Sequence, residues 1–91
     1  MEAVHISGEL DADSVPARLR ESEHYFVPGQ DTVIDLSGIT RADSAGVALL
    51  LDWLRQAKAA QASLTYRNAP AQMRAIIDFC ALGDVVPLQD S

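Results

Sequence analysis

Asp43 and Ser44 stand side by side just ahead of a long apolar run, where a helix is expected to begin. The unpaired N–H groups of a helix's first turn donate to a side-chain oxygen, so either residue suits the cap and both registers stay open. As a cap alone, Ser44 stabilises the helix by about 0.5–2 kcal/mol and needs no further purpose. As a hydroxyl on an exposed turn at a helix's positive end, it is also placed to contact a partner or to accept a phosphoryl group. The added charge of roughly −2 is tolerated by the helix end but disrupts a docked surface. Asp11, Asp35 and Asp43 fall near expected strand ends, and their convergence would suit a phosphoacceptor or Mg²⁺ site. Carboxylates at strand ends are commonly just solvated, and neither an adjacent acidic pair nor a recognisable downstream lysine accompanies these three.

Other chemistry has little support. His5 falls in a strand and His24 in a loop, without metal-ligand spacing, and Cys80 is expected on the apolar side of a helix as a small inert thiol. The chain has no HExxH, GxSxG, glycine-rich phosphate loop or Cys/His cluster, and Gly46 is too isolated to cradle a nucleotide. The expectation is a protein with no catalytic residue, no metal and no cofactor.

With 91 residues the chain reads as one domain over positions 1–91, too small to combine a core of its own with a lipid pocket or a large enclosed cleft. Thirteen acidic residues against seven basic ones give a net charge of −6, which repels phosphate backbones and anionic membranes. Arg18, Arg20, Arg41, Arg55, Lys58, Arg67 and Arg74 are scattered, so no basic patch offsets that charge and nucleic-acid binding is not expected. No apolar run reaches the roughly 18–20 residues of a membrane span, and no signal-peptide pattern opens the sequence. A single cysteine forms no internal disulfide. Together these features suggest a cytoplasmic protein.

The elements that position Asp43 and Ser44 follow from periodicity. Ala3 to Ser7 alternates as a short strand that Gly8 bends away. A helix from about Val15 to Glu23 follows, with Asp13 and Ser14 as cap candidates, Pro16 in its first turn and Val15 and Leu19 facing inward. Pro28-Gly29 is a turn. Thr32 to Leu36 is the clearest strand, a nearly continuous apolar run of the kind found at a sheet's centre or where both faces are covered. A polar loop then leads to a second helix, about Ser44 to Ala60, with Val47, Leu50, Leu51, Leu54 and Ala57 on one arc and Leu49 and Trp53 widening it. Burial is the default for Leu49 and Trp53, although an exposed Trp on such a flank makes an interface anchor. Ala62 to Arg67 alternates as another strand. The third helix starts near Pro70, buries Met73, Ile76, Ile77 and Cys80, and ends with Gly83 as its C′ residue. Val85-Val86 suggests a last short strand, with Leu88 to Ser91 fraying. Strand-helix alternation predicts an α/β fold, a mixed sheet of about four strands with three to four helices.

In their order, Gly8-Glu9-Leu10-Asp11, Val33-Ile-Asp-Leu-Ser37 and Asp43-Ser-Ala-Gly46 opening an Ala/Leu-rich helix resemble the STAS family of sulfate transporters and anti-sigma factor antagonists. The likeness spans essentially the whole chain. Within the family, Arg41-Ala-Asp-Ser-Ala-Gly46 before Val-Ala-Leu-Leu-Leu51 is most similar to the STAS subunits of Mla-type phospholipid ABC transporters. The resemblance implies a small STAS-type fold and a non-catalytic subunit that binds the ATPase subunit within a permease-containing complex. Such a subunit is cytoplasmic and lies beside the inner membrane through its complex. It also implies that Ser44 occupies the position phosphorylated in anti-sigma factor antagonists, whose partner is an anti-sigma factor kinase. The expected docking surface is the loop from Thr40 to Ala45, including Arg41, Asp43 and Ser44, with Ala48, Asp52 and Arg55 on the outer side of the second helix.

Overall fold

A computed structural model describes residues 3–89, with every side chain among them except that of Glu23. The order is β1 (Val4–Leu10), α1 (Val15–Glu21), a 3₁₀ turn (Ser22–His24), β2 (Asp31–Ala42), α2 (Ser44–Ala59), β3 (Ser63–Arg67), α3 (Ala71–Phe79) and β4 (Leu88–Gln89). The strands lie in the order β1-β2-β3-β4, and all three pairings are parallel, so the sheet is not mixed. Right-handed crossovers in such a monotonic order place every helix on the same face. Contacts of α1 with α2 and of α2 with α3 agree with that placement.

Alternation in the strands then sorts their side chains. Ile6, Leu10, Ile34, Leu36, Leu64 and Tyr66 are buried toward the helices, where Val47, Leu49, Leu50, Trp53 and Ala57 of α2 and Met73 and Ile77 of α3 meet them. The buried Tyr66 hydroxyl donates to the Leu50 carbonyl at 2.6 Å, tying β3 to α2, and burial pushes its phenol well above the usual range. Neighbouring residues face the other way, and register sets His5, Asp35, Arg67 and Gln89 in one row across the uncovered face. The apolar run of β2 thus reflects its central place in the sheet rather than cover on both sides.

Several element ends differ from expectation. β1 does not stop at Ser7: Gly8 takes φ +91°, and the register shifts between Gly8 and Glu9, so a bulge carries the strand on to Leu10. That extension gives residues 38–42 a pairing partner, and β2 continues to Ala42 where a loop was expected. α1 ends at Glu21, and the rest of its expected length is the 3₁₀ turn.

α3 ends at Phe79, which leaves Cys80 off the helical arc and exposed. Its C′ residue is Ala81, at φ 56°, not Gly83; Leu82 N–H donates to Ile77 O at 2.9 Å and Ala81 N–H to Asp78 O at 3.1 Å, a Schellman closure. Val85 and Val86 instead direct their N–H groups to Leu82 O, so the last strand begins after Pro87, at Leu88. Leu88 and Gln89 are paired with β3, and the expected fraying of Asp90 and Ser91 lies outside the described residues.

Candidate functional site

The junction of β2 and α2 resolves the two registers. Asp43 is the N-cap, with extended backbone angles (φ −128°, ψ −166°), and its Oδ1 accepts the N–H groups of Ala45 at 2.9 Å and Gly46 at 3.4 Å. Ser44 is therefore the first helical residue, exposed, and its hydroxyl makes no hydrogen bond among the described residues. The junction is braced from beneath. Asp43 N–H donates to Leu10 O at 3.2 Å, and Ala42 N–H donates to Gln72 Oε1 of α3 at 3.1 Å. A Cβ on Gly46 would lie 2.7 Å from Leu10 O, so the absent side chain lets the first turn of α2 settle on the end of β1. No sequence pattern marks Gln72; its role arises only when α3 packs beside β2.

Thr40 and Arg41 are exposed, but they belong to β2 and not to a loop. Ser44, Ala48, Asp52 and Arg55 recur every three or four residues and share one stripe of α2. Ser44, Ala48 and Arg55 are exposed on it, Asp52 is half-buried, and Ala45 beside them is half-buried. Asp52 and Arg55 form a 3.6 Å ion pair that water screens, so it holds neither group back from a partner. Leu49 and Trp53 are fully within the core, as burial by default required, and are not anchors on the surface. The apolar flank that does reach solvent is Leu51 and Leu54, both half-buried.

The three carboxylates do not form a common site. Asp11 Oδ1 accepts Ser14 N–H at 2.9 Å and Asp13 N–H at 3.1 Å ahead of α1, and the Ser14 N–H above all lowers its carboxyl from the ordinary value. Ser14, in turn, does not cap α1 with its side chain but donates to Glu9 O at 2.8 Å. Asp43 is occupied by its cap. Asp35 lies mid-strand on the uncovered face of the sheet, where Oδ1 accepts Ser37 N–H at 2.8 Å and Oδ2 accepts from Arg67 Nη2 at 3.1 Å and Asn68 Nδ2 at 3.2 Å. Among the described residues, no group of three or more His, Cys, Asp or Glu side chains is arranged to hold a metal ion.

Ser37 above all, then Arg67 and Asn68, holds the Asp35 carboxyl far below its ordinary value of 3.8. Its contribution is full above the unfolded value and lost as pH falls toward the depressed folded one. Asp35→Asn is therefore expected to cost about 1–3 kcal/mol at neutral pH. The gap between variant and parent should close as pH falls below about 4. Urea unfolding across that range tests it, and a gap that is constant with pH contradicts it.

No helix of the described residues is long and apolar enough to cross a membrane. A family model described as "Mlab, STAS domain" matches residues 2–88. Among solved structures, the anti-sigma factor antagonist SpoIIAA in its unphosphorylated form is similar, at 25% identity and a TM-score of 0.72, over 96% of this chain and 76% of that one. No curated protein matches the chain by sequence.

Proposed function

We propose a protein-docking role for this chain, which belongs to the STAS domain family. It acts as a non-catalytic subunit that binds the ATPase subunit of a phospholipid ABC transporter of the Mla type, alongside a permease, at the cytoplasmic side of the inner membrane. The family match over residues 2–88 supports the branch. One observation supports the surface: Asp43 caps α2, so the exposed Ser44 hydroxyl has no structural task. Thr40, Arg41, Asp43, Ser44, Ala45, Ala48, Asp52 and Arg55 make up the docking patch. To regulate the ATPase rather than merely accompany it, the patch must bind one ATPase conformation more tightly than another.

Ser44→Glu places a charge at the centre of this patch and should weaken affinity for the ATPase at least tenfold, with Ser44→Ala milder. Isothermal titration calorimetry with the purified ATPase measures both. Unchanged affinity in the two variants, and in charge reversals at Arg41 and Arg55, rules the surface out.

A second reading has its own support in the likeness to SpoIIAA, described as an anti-sigma factor antagonist in unphosphorylated form. On that reading the same patch captures an anti-sigma factor kinase, and phosphorylation of Ser44 releases it by adding charge to a docked surface. Mass spectrometry of the chain after incubation with ATP and the kinase separates the two. A phosphate on Ser44 favours the switch, and its absence together with ATPase binding favours the transporter.

A further inference from the structure

Beyond the Ser44 patch, α2 presents a second surface. Leu51, Leu54, Arg55 and Lys58 fall at i, i+3, i+4 and i+7, one stripe of the helix, and Val85 from the turn after α3 faces them across a groove of about 270 Å³. The floor is apolar: Leu51 and Leu54 are half-buried, and Val85 is 55% exposed. Both charged residues of the lining are cations, on a chain whose net charge is −6. Lys58 has no ion-pair partner among the described residues, and Arg55 has only the screened contact with Asp52. An apolar floor with a cationic rim complements a segment that offers aliphatic side chains and carboxylates together.

The volume narrows the occupant. Small-molecule sites commonly enclose about 300–1,000 Å³, and this open groove falls below that range, enough for one or two aliphatic side chains and too small for the paired tails of a phospholipid. We infer that the groove receives a short acidic and apolar peptide segment of the docked protein, its aliphatic side chains on Leu51, Leu54 and Val85 and its carboxylates on Arg55 and Lys58. The inference rests on the docking role proposed above and adds a second contact to it, continuous with the Ser44 stripe through Arg55.

The test is a ¹⁵N NMR titration of the whole chain with the peptide acetyl-Leu-Asp-Glu-Leu-Leu-Asp-Glu-Leu-amide. The controls are the same peptide with lysine at each acidic position, and phosphatidylglycerol vesicles. Shifts centred on Leu51, Leu54, Lys58 and Val85 are expected with the acidic peptide, at least fivefold weaker binding in Lys58→Glu, and no response to the lysine peptide. Equal responses to both peptides, shifts centred elsewhere, or a response to vesicles with none to peptide overturn the inference. Ser44→Glu should leave peptide binding unchanged. If Lys58→Glu binds the ATPase within twofold of the parent while Ser44→Glu does not, the groove is not part of the interface and the docking role stands.

Discussion

Trp53→Ala should remove about 3–5 kcal/mol of stability, the usual cost of emptying a buried indole site. A domain of this length has about 5–14 kcal/mol in total, so the variant keeps about 0–11 kcal/mol and should unfold at a clearly lower urea concentration than the parent. The indole is fully buried on α2, its ring 6.1 Å from that of Tyr25, and it bridges the helix to the segment before β2. Trp53→Phe separates packing from polarity. Its Nε1–H finds no acceptor among the described residues, and an unpaired buried donor costs about 1–3 kcal/mol. Phenylalanine removes that donor while leaving a smaller void, so the two changes offset and Trp53→Phe should lie within about 1 kcal/mol of the parent. Urea unfolding followed by circular dichroism measures both variants, since the fluorescence probe is lost with the indole. A Phe variant as unstable as the Ala variant would mean that the indole N–H is satisfied in solution. Because Trp53 is core and not a docking anchor, Trp53→Phe should also bind the ATPase as the parent does.

The place of Trp53 illustrates what periodicity conveys and what it does not. Apolar spacing from Val47 to Ala57 marks α2 as a helix with a broad apolar arc, because the pattern depends only on neighbours along the chain. It does not say which part of the arc meets the sheet. The sheet meets Leu49 and Trp53, and the leftover flank is Leu51 and Leu54, a rotation of the wheel set by tertiary contact. Residues 38–42 were illegible for a related reason. Their polar, glycine-containing sequence reads as a loop, and they become strand only because a bulge at Gly8 prolongs β1 beside them. Ala81 closing α3 could not be anticipated from residue preference, which points to Gly83. At the site, the Asp43-Ser44 pair was legible as cap chemistry. Which of the two caps is decided by one extended backbone at Asp43, a choice between registers one residue apart.

Gly46 connects that register to the strands, and filling its missing side chain should have the other large effect. Its Cβ would fall 2.7 Å from the Leu10 carbonyl oxygen and 3.0 Å from Leu10 Cβ, and Leu10 is fully buried, so neither atom can swing aside. The first turn of α2 has to lift. Lifting it strains the Asp43 N–H bond to Leu10 O, which fixes the junction where Ser44 is displayed. Against this, alanine gains about 1 kcal/mol of helix propensity over glycine. Overpacking of a tight core costs about 1–3 kcal/mol, so Gly46→Ala should be a net loss of about 0–2 kcal/mol. Gly46→Val adds two methyl groups and β-branching at the same contact and should lose about 3 kcal/mol or more. Gly83 is the control. A Cβ there meets nothing within 4 Å, and Gly83→Ala should change stability by no more than about 0.5 kcal/mol. Binding supplies the second readout: Gly46→Ala, still folded at 20 °C, should weaken the ATPase complex because the Ser44 turn is displaced, whereas Gly83→Ala should not. If Gly46→Val is as stable as the parent, α2 does not rest on the end of β1, and the bracing that presents Ser44 is different from the one described.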